Sequence, residues 1–188
     1  MLTTRGIPAG ATREQIVDLA IADLLAGRDL DLKALSARAG VGRTTLYRYF
    51  GDRAGLLGEA LWALTDQAWA HARRSTPGSG IDHVREVVKT FLHTIATSPP
   101  ASNLMVREPR LAATAIMSPT GQVQRRAVAR TIQLLTEHTD LPPGQVRPIA
   151  EIITQIAMTY AWAQLISGAG ADTSTPAAIT ERLLHHAK

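Results

Sequence analysis

Between Leu32 and Phe50 two segments with helical spacing, each about two turns long, are joined only by Gly40-Val41-Gly42. Helices this short do not hold together alone in water. They must pack on something else, and the nearest candidate begins at Thr12. There Gln15 follows three residues on, the spacing of a capping box, and Ile16, Leu19, Ala20, Leu24 and Ala26 continue as an apolar stripe until Gly27. Asp31 caps the second helix, Leu32 to Ala39, and Gly42 caps a third over residues 43–50. Asp52 starts a long fourth helix over 53–74. A tight, glycine-bearing turn with one inward apolar residue, Val41, makes the second and third helices a helix-turn-helix.

Placed on a wheel at about 100° per residue, Arg43, Thr44, Tyr47 and Arg48 occupy one arc. Leu46, Tyr49 and Phe50 occupy the opposite arc, with Thr45 on the border. The outward arc carries the chemistry of a DNA major-groove reader. Arginine donates twice to guanine, and threonine offers its hydroxyl or methyl to a base edge. Tyrosine and further arginines hold phosphate oxygens. Charge points the same way. From Lys33 to Arg53 there are five cations, Lys33, Arg38, Arg43, Arg48 and Arg53, against the single acid Asp52. That local excess equals the net charge of +4 carried by the whole 188-residue chain.

The rest of the chain is helical between proline and glycine breaks. STPGSG (75–80) ends the fourth helix. An amphipathic helix follows over 81–98, and Pro99 and Pro100 stop it. Residues 101–118 hold one or two short helices interrupted at Pro109. Further helices cover 119–138, 146–167 and 176–186, separated by LPPG (141–144) and the loop 168–175. Residues 1–11 read as a flexible arm. Strand signals are scarce, so the fold class is all-α, with a helix-turn-helix domain at 12–55 and a larger helical domain at 56–188.

Several classes of function are disfavoured. There is no cysteine, which fits a reducing compartment, and no signal-peptide pattern; the expected location is the cytoplasm. The longest nearly apolar run, Ile156 to Ile166, is too short to span a bilayer. None of His71, His83, His93, His138, His185 and His186 stands at a metal-ligand spacing, and no phosphate loop or nucleophile elbow is present. No enzyme, cofactor, metal or membrane partner is expected. An all-helical adaptor that binds protein through its basic hairpin is the alternative to DNA binding.

Residues 39–57, AGVGRTTLYRYFGDRAGLL, resemble the DNA-binding signature of the TetR family of bacterial regulators, A-G-V-S-x-x-T-[LF]-Y-x-[YH]-F-x-[SD]-[KR]-x-x-L. Ala39, Gly40, Val41, Thr45, Leu46, Tyr47, Tyr49, Phe50, Asp52, Arg53 and a leucine at 56 or 57 match it. With the first helix the resemblance covers residues 12–57. Two features depart from it. Gly42 replaces the usual serine cap, and the GRDLD link between the first two helices is shorter than usual.

The resemblance implies a repressor that binds a palindromic operator as a homodimer and is released by a small molecule. It implies base or backbone contacts from Arg43, Thr44 and Tyr47, with Tyr49 and Arg53 on phosphates; Thr45, Arg48 and Lys33 complete the expected DNA-binding set. It places the dimer interface on the last two long helices, where Ile152, Ile156, Leu165, Ile179, Leu183 and Leu184 are candidates for an intermolecular four-helix bundle. It also implies a pocket in the larger domain for an apolar or amphipathic effector. Trp62, Trp69, Phe91, Met105, Met117, Met158 and Trp162 are candidate walls, and Asn103, Arg107, Gln155 and Thr159 candidate polar anchors.

Overall fold

The computed structural model describes residues 10–117, 122–167 and 172–187. Among these residues ten helices follow one another: α1 (Arg13–Leu25), α2 (Leu32–Ala39), α3 (Arg43–Phe50), α4 (Arg53–Ser75), α5 (Gly80–Ala96), α6 (Pro99–Arg107), α7 (Pro109–Met117), α8 (Gln122–His138), α9 (Pro143–Ser167) and α10 (Ser174–His186). Among the described residues there is no strand. Residues 1–9, most of the expected arm, and 118–121, where the helix ending at His138 was expected to begin, lie outside the described residues.

Local chemistry explains most boundaries. Thr12 and Gln15 form the reciprocal capping box. The Thr12 N–H donates to Gln15 Oε1 at 2.8 Å, and the Gln15 N–H donates to Thr12 Oγ1 at 3.3 Å. Asp31 Oδ1 accepts from the Lys33 N–H at 2.8 Å, and Asp52 Oδ1 from the Gly55 N–H at 2.7 Å. Gly40 ends α2 in the left-handed conformation at φ 63°, where a Cβ is disfavoured.

The prolines were expected as stops, yet three of them open helices. Pro99, Pro109 and Pro143 each stand at the first position of a helix, where the N–H they lack has no intrahelical partner anyway. α9 therefore starts three residues before Val146 and carries Pro148 inside. α10 starts two residues before Pro176. Asp172 Oδ1 accepts from the N–H groups of Ser174 and Thr175, each at 3.1 Å, and caps that turn.

Two apolar cores hold the helices. The first joins Ile16, Ala20, Leu35, Leu46, Leu56 and Leu57 to Leu104, Met105, Ala112 and Ala115. The helix-turn-helix thus shares its core with α6 and α7, across the expected boundary at residue 55. The second core gathers Trp69, Val84, Val87, Leu92, Leu134, Leu135, Ile153 and Leu184 from α4, α5, α8, α9 and α10. α4 runs through both and is the element that connects them.

Candidate nucleic-acid interface and cavity

On α3 the division predicted by the wheel is visible in the burial. Leu46 is 2% exposed and Tyr47 52% exposed. Arg43, Thr44 and Arg48 are exposed with Tyr47, while Thr45, Tyr49 and Phe50 are half-buried. The Tyr49 and Phe50 rings meet edge to face at 6.0 Å, and the Arg48 guanidinium lies 5.4 Å from the Tyr49 ring centre. Gly42 caps α3 with extended backbone and no side-chain bond, and a Cβ there would meet nothing within 4 Å. A serine would therefore fit at this position.

The basic segment is less free than its composition suggests. Arg38 donates to both oxygens of Asp23, at 2.7 and 2.8 Å, and Arg28 donates to the same carboxylate. Asp23 is 3% exposed, so this pairing neutralises a buried charge and ties α2 to α1. Arg53, expected on a phosphate, is paired within the chain. Its Nη1 and Nη2 donate to the two oxygens of Glu108, each at 2.5 Å, and its Nε donates to the Leu30 carbonyl at 2.7 Å. Sequence position alone gave no sign of that partner, which lies 55 residues away. Lys33, Arg43 and Arg48 remain; they are exposed, and among the described residues they make no ion pair. The outward-facing charge is thus three cations grouped on α2 and α3.

One cavity of about 150 Å³ lies between α4, α5, α6, α7, α8 and α9, with Leu24 of α1 also in its wall. Trp62, Trp69, Phe91, Met105, Met158 and Trp162 all line it. Met117 belongs to α7, but its side chain lies outside the described residues. The four expected polar anchors are elsewhere. Arg107 donates to the Gly27 carbonyl and pairs with Asp29 at 2.9 Å, clamping the link between α1 and α2. Asn103 lines a small cleft at the same junction. Gln155 accepts from Gln124 at 3.4 Å on the surface, and the Thr159 hydroxyl donates to the Gln155 carbonyl. Each sits on a cavity-forming helix, but on its far side.

The expected interface residues also divide. Leu184 is fully buried in the second core, and Leu165 is 7% exposed, in the first core and against the cavity. Both belong to the interior of the chain. Ile152 and Ile179 are exposed at 46% and 36%, and Ile156 and Leu183 are half-buried. Ile166, 56% exposed, extends the α9 face and was not among the candidates. No described helix is long and apolar enough to cross a membrane.

The profile of the bacterial regulatory proteins, tetR family, matches residues 20–60, and that of the tetracyclin repressor-like C-terminal domain matches residues 79–185. The second covers more than half of the chain. The chain belongs to the TetR family. It is 29% identical over 154 residues to the HTH-type transcriptional repressor LfrR of Mycolicibacterium smegmatis, covering 79% of each protein. It is 24% identical over 142 residues to an uncharacterised HTH-type regulator of Mycobacterium tuberculosis, Rv0472c; that match spans 72% of this chain but only 60% of the relative. The transcriptional repressor QsdR of R. erythropolis superposes with a TM-score of 0.82 at 27% identity, over 92% of this chain and 94% of that one. The TetR-family repressor AlkX of Dietzia superposes at 0.67 with 24% identity, over 93% and 97%, a likeness of fold. Within this TetR-family fold, α3 is the second helix of the helix-turn-helix.

Proposed function

We propose that this chain is a transcriptional repressor of the bacterial cytoplasm that binds a palindromic operator as a homodimer and leaves it when a small apolar molecule enters the cavity. The observation that carries the reading is the two-sided α3, with Leu46 buried and Arg43, Thr44 and Tyr47 turned outward. Arg43 and Thr44, in the first turn, reach base edges. Tyr47, Arg48, Lys33 and the Tyr49 hydroxyl hold the backbone. One such head makes too few contacts for tight binding, so two copies read half-sites one or more helical turns apart. The exposed apolar residues of α9 and α10, Ile152, Ile156, Ile166, Ile179 and Leu183, supply the contact between copies.

Selection from a random DNA pool tests this. A symmetric motif is expected, with binding that falls steeply as salt rises. Arg43→Ala is expected to cost roughly 1–3 kcal/mol at one base pair of each half-site and to relax the preference there. Recovery of no motif, or equal weakening on every sequence, would count against base reading by Arg43. A sequence-independent outcome with retained binding to acidic protein would favour the adaptor reading. A monomer by sedimentation at micromolar concentration would rule out the dimer.

A further inference from the structure

We infer that the ion triad Arg13–Glu59–Arg126 is the link through which the wall of the cavity sets the position of α3. The inference rests on reading the cavity as the effector site and adds how its state is passed to the reading helix. It follows from the two aromatic rings on which the triad ends.

Glu59 stands on α4 and is 7% exposed. A carboxylate this deep is strongly disfavoured unless partners hold it. Its partners come from two other helices. Arg13, the first residue of α1, brings Nη2 within 2.8 Å of Oε1. Arg126 of α8 donates from Nη1 to Oε2 at 3.1 Å and from Nη2 to Oε1 at 3.4 Å. One buried charge thus ties α1, α4 and α8 together. Oε1 serves both arginines, so a change in the seat of one alters the hold on the other. When Arg126 draws away, the buried charge is left to Arg13 alone and pulls harder on it.

Each arginine also lies over an aromatic ring. The guanidinium of Arg126 is 5.8 Å from the ring centre of Trp62, and that of Arg13 is 5.2 Å from the ring centre of Phe50, both within cation–π reach. Trp62 belongs to the cavity wall. Phe50 is the last residue of α3 and packs against the first core. The series Trp62, Arg126, Glu59, Arg13, Phe50 therefore begins at the cavity and ends on the reading helix, with a contact at every step. The polar contacts of Arg53 and Arg107 end instead on Glu108, the Leu30 carbonyl and the α1–α2 link. Coupling needs an element with two arrangements, and the shared carboxylate supplies one: both arginines on Glu59, or Arg13 alone. A guest that moves Trp62 favours the second, and Phe50 follows Arg13.

The test is a double-mutant cycle read in operator affinity on the full chain, with the DNA recovered from the random pool. Trp62→Leu removes the ring under Arg126 at the cavity wall. Glu59→Gln keeps the shape of the side chain and removes the charge that both arginines share. Trp62→Leu is expected to weaken operator binding by roughly fivefold or more in the unmodified chain, and by less than about twofold in the Glu59→Gln background. Independent sites combine to within about twofold, so an effect lost in the second background is coupling through Glu59. A second readout uses reciprocity: what the cavity wall does to α3, the operator does to the wall. The Trp62 indole ¹H–¹⁵N cross-peak, assigned by its loss in Trp62→Leu, is expected to shift when operator binds the unmodified chain and to stay in place when it binds the Glu59→Gln variant.

The same fold-change of Trp62→Leu in both backgrounds would overturn the link and leave the repressor reading standing. A Trp62 signal that ignores the operator in the unmodified chain, or still follows it in Glu59→Gln, would do the same. Partial unfolding does not imitate the expected result, because weakening from that cause persists when Glu59 is changed. If Trp62→Leu does not fold, Arg126→Met takes its place with the same expectation, since it keeps an apolar stem over the Trp62 ring and removes the charge. A selection that recovers no operator removes the repressor reading, and the link with it.

Discussion

Gly55 shows how tightly the reading helix is joined to the rest of the chain. A Cβ at this position would lie 1.9 Å from the Phe50 carbonyl oxygen, a backbone atom that cannot swing aside. The last turn of α3 can therefore rest on the first turn of α4 only because residue 55 has no side chain. Gly58, one turn on, offers a control. Its added Cβ would meet Ala115 O at 3.8 Å, an ordinary contact. Gly55→Ala is expected to destabilise the fold by about 1–3 kcal/mol, as overpacking does, and to weaken DNA binding by shifting α3. Gly58→Ala should be neutral or stabilising by up to about 1 kcal/mol, from helix propensity. Urea denaturation of the pair checks both signs, and equal behaviour of the two variants would remove the argument.

At the scale of elements, two polar contacts join the reading head to the larger unit at the α6–α7 junction. Glu108 grips Arg53 at the start of α4, and Arg107 grips the α1–α2 link. The same α6 contributes Leu104 and Met105 to the cavity wall and to the first core. A displacement of α6 would therefore be felt at α4 and at the α1–α2 link together. The pair Arg53–Glu108 is bidentate and part-buried, the geometry in which an ion pair has measurable strength. A double-mutant cycle with Arg53→Ala and Glu108→Ala is expected to give a coupling of roughly 0.5–3 kcal/mol in urea denaturation. Additive single effects would mean that the pair does not hold the two parts together. If Arg53 instead served a phosphate, Arg53→Ala alone would lower the salt dependence of DNA binding while Glu108→Ala left it unchanged.

At the scale of the whole molecule, a pH dependence of stability is expected from a histidine pair beside the second core. His83 is buried on α5, with its ring centre 4.1 Å from that of His138 at the end of α8. Burial first, and then the nearby charges of His138 and Arg73, hold its pKa below the ordinary histidine value. A pKa lower in the folded than in the unfolded chain means that the unfolded chain binds the proton more readily. The stability contributed by neutral His83 is therefore complete above about pH 6.5, the value for an exposed histidine, and declines as the pH falls below it. The urea midpoint should fall between pH 7.5 and pH 5.5, and His83→Phe should flatten that fall. An unchanged slope in the variant would assign the pH dependence elsewhere.

Much of this was written in the chain itself. Helix boundaries followed from residues acting on their neighbours, as in the Thr12–Gln15 box and the Asp52 cap, because those forces span only a few residues. The two faces of α3 followed from periodicity, since its burial is decided by contact with α2 and α4. The aromatic and methionine walls of the cavity were legible for a similar reason: large apolar side chains seek the interior wherever the chain runs. Polar and charged side chains were not, because a long polar side chain bonds to whatever the fold brings near. Only the tertiary structure turned Arg53 to Glu108, Arg38 to Asp23 and Arg107 to the α1–α2 link, and left Gln155 and Thr159 outside the cavity they were expected to serve. Apolar patterning likewise could not say whether Leu165 and Leu184 face their own core or a second copy, since burial against either requires the same residues. Local physics is carried by sequence spacing; the choice of partner across 50 residues or more, as from Arg53 to Glu108 with a separation of 55, belongs to the packed molecule alone.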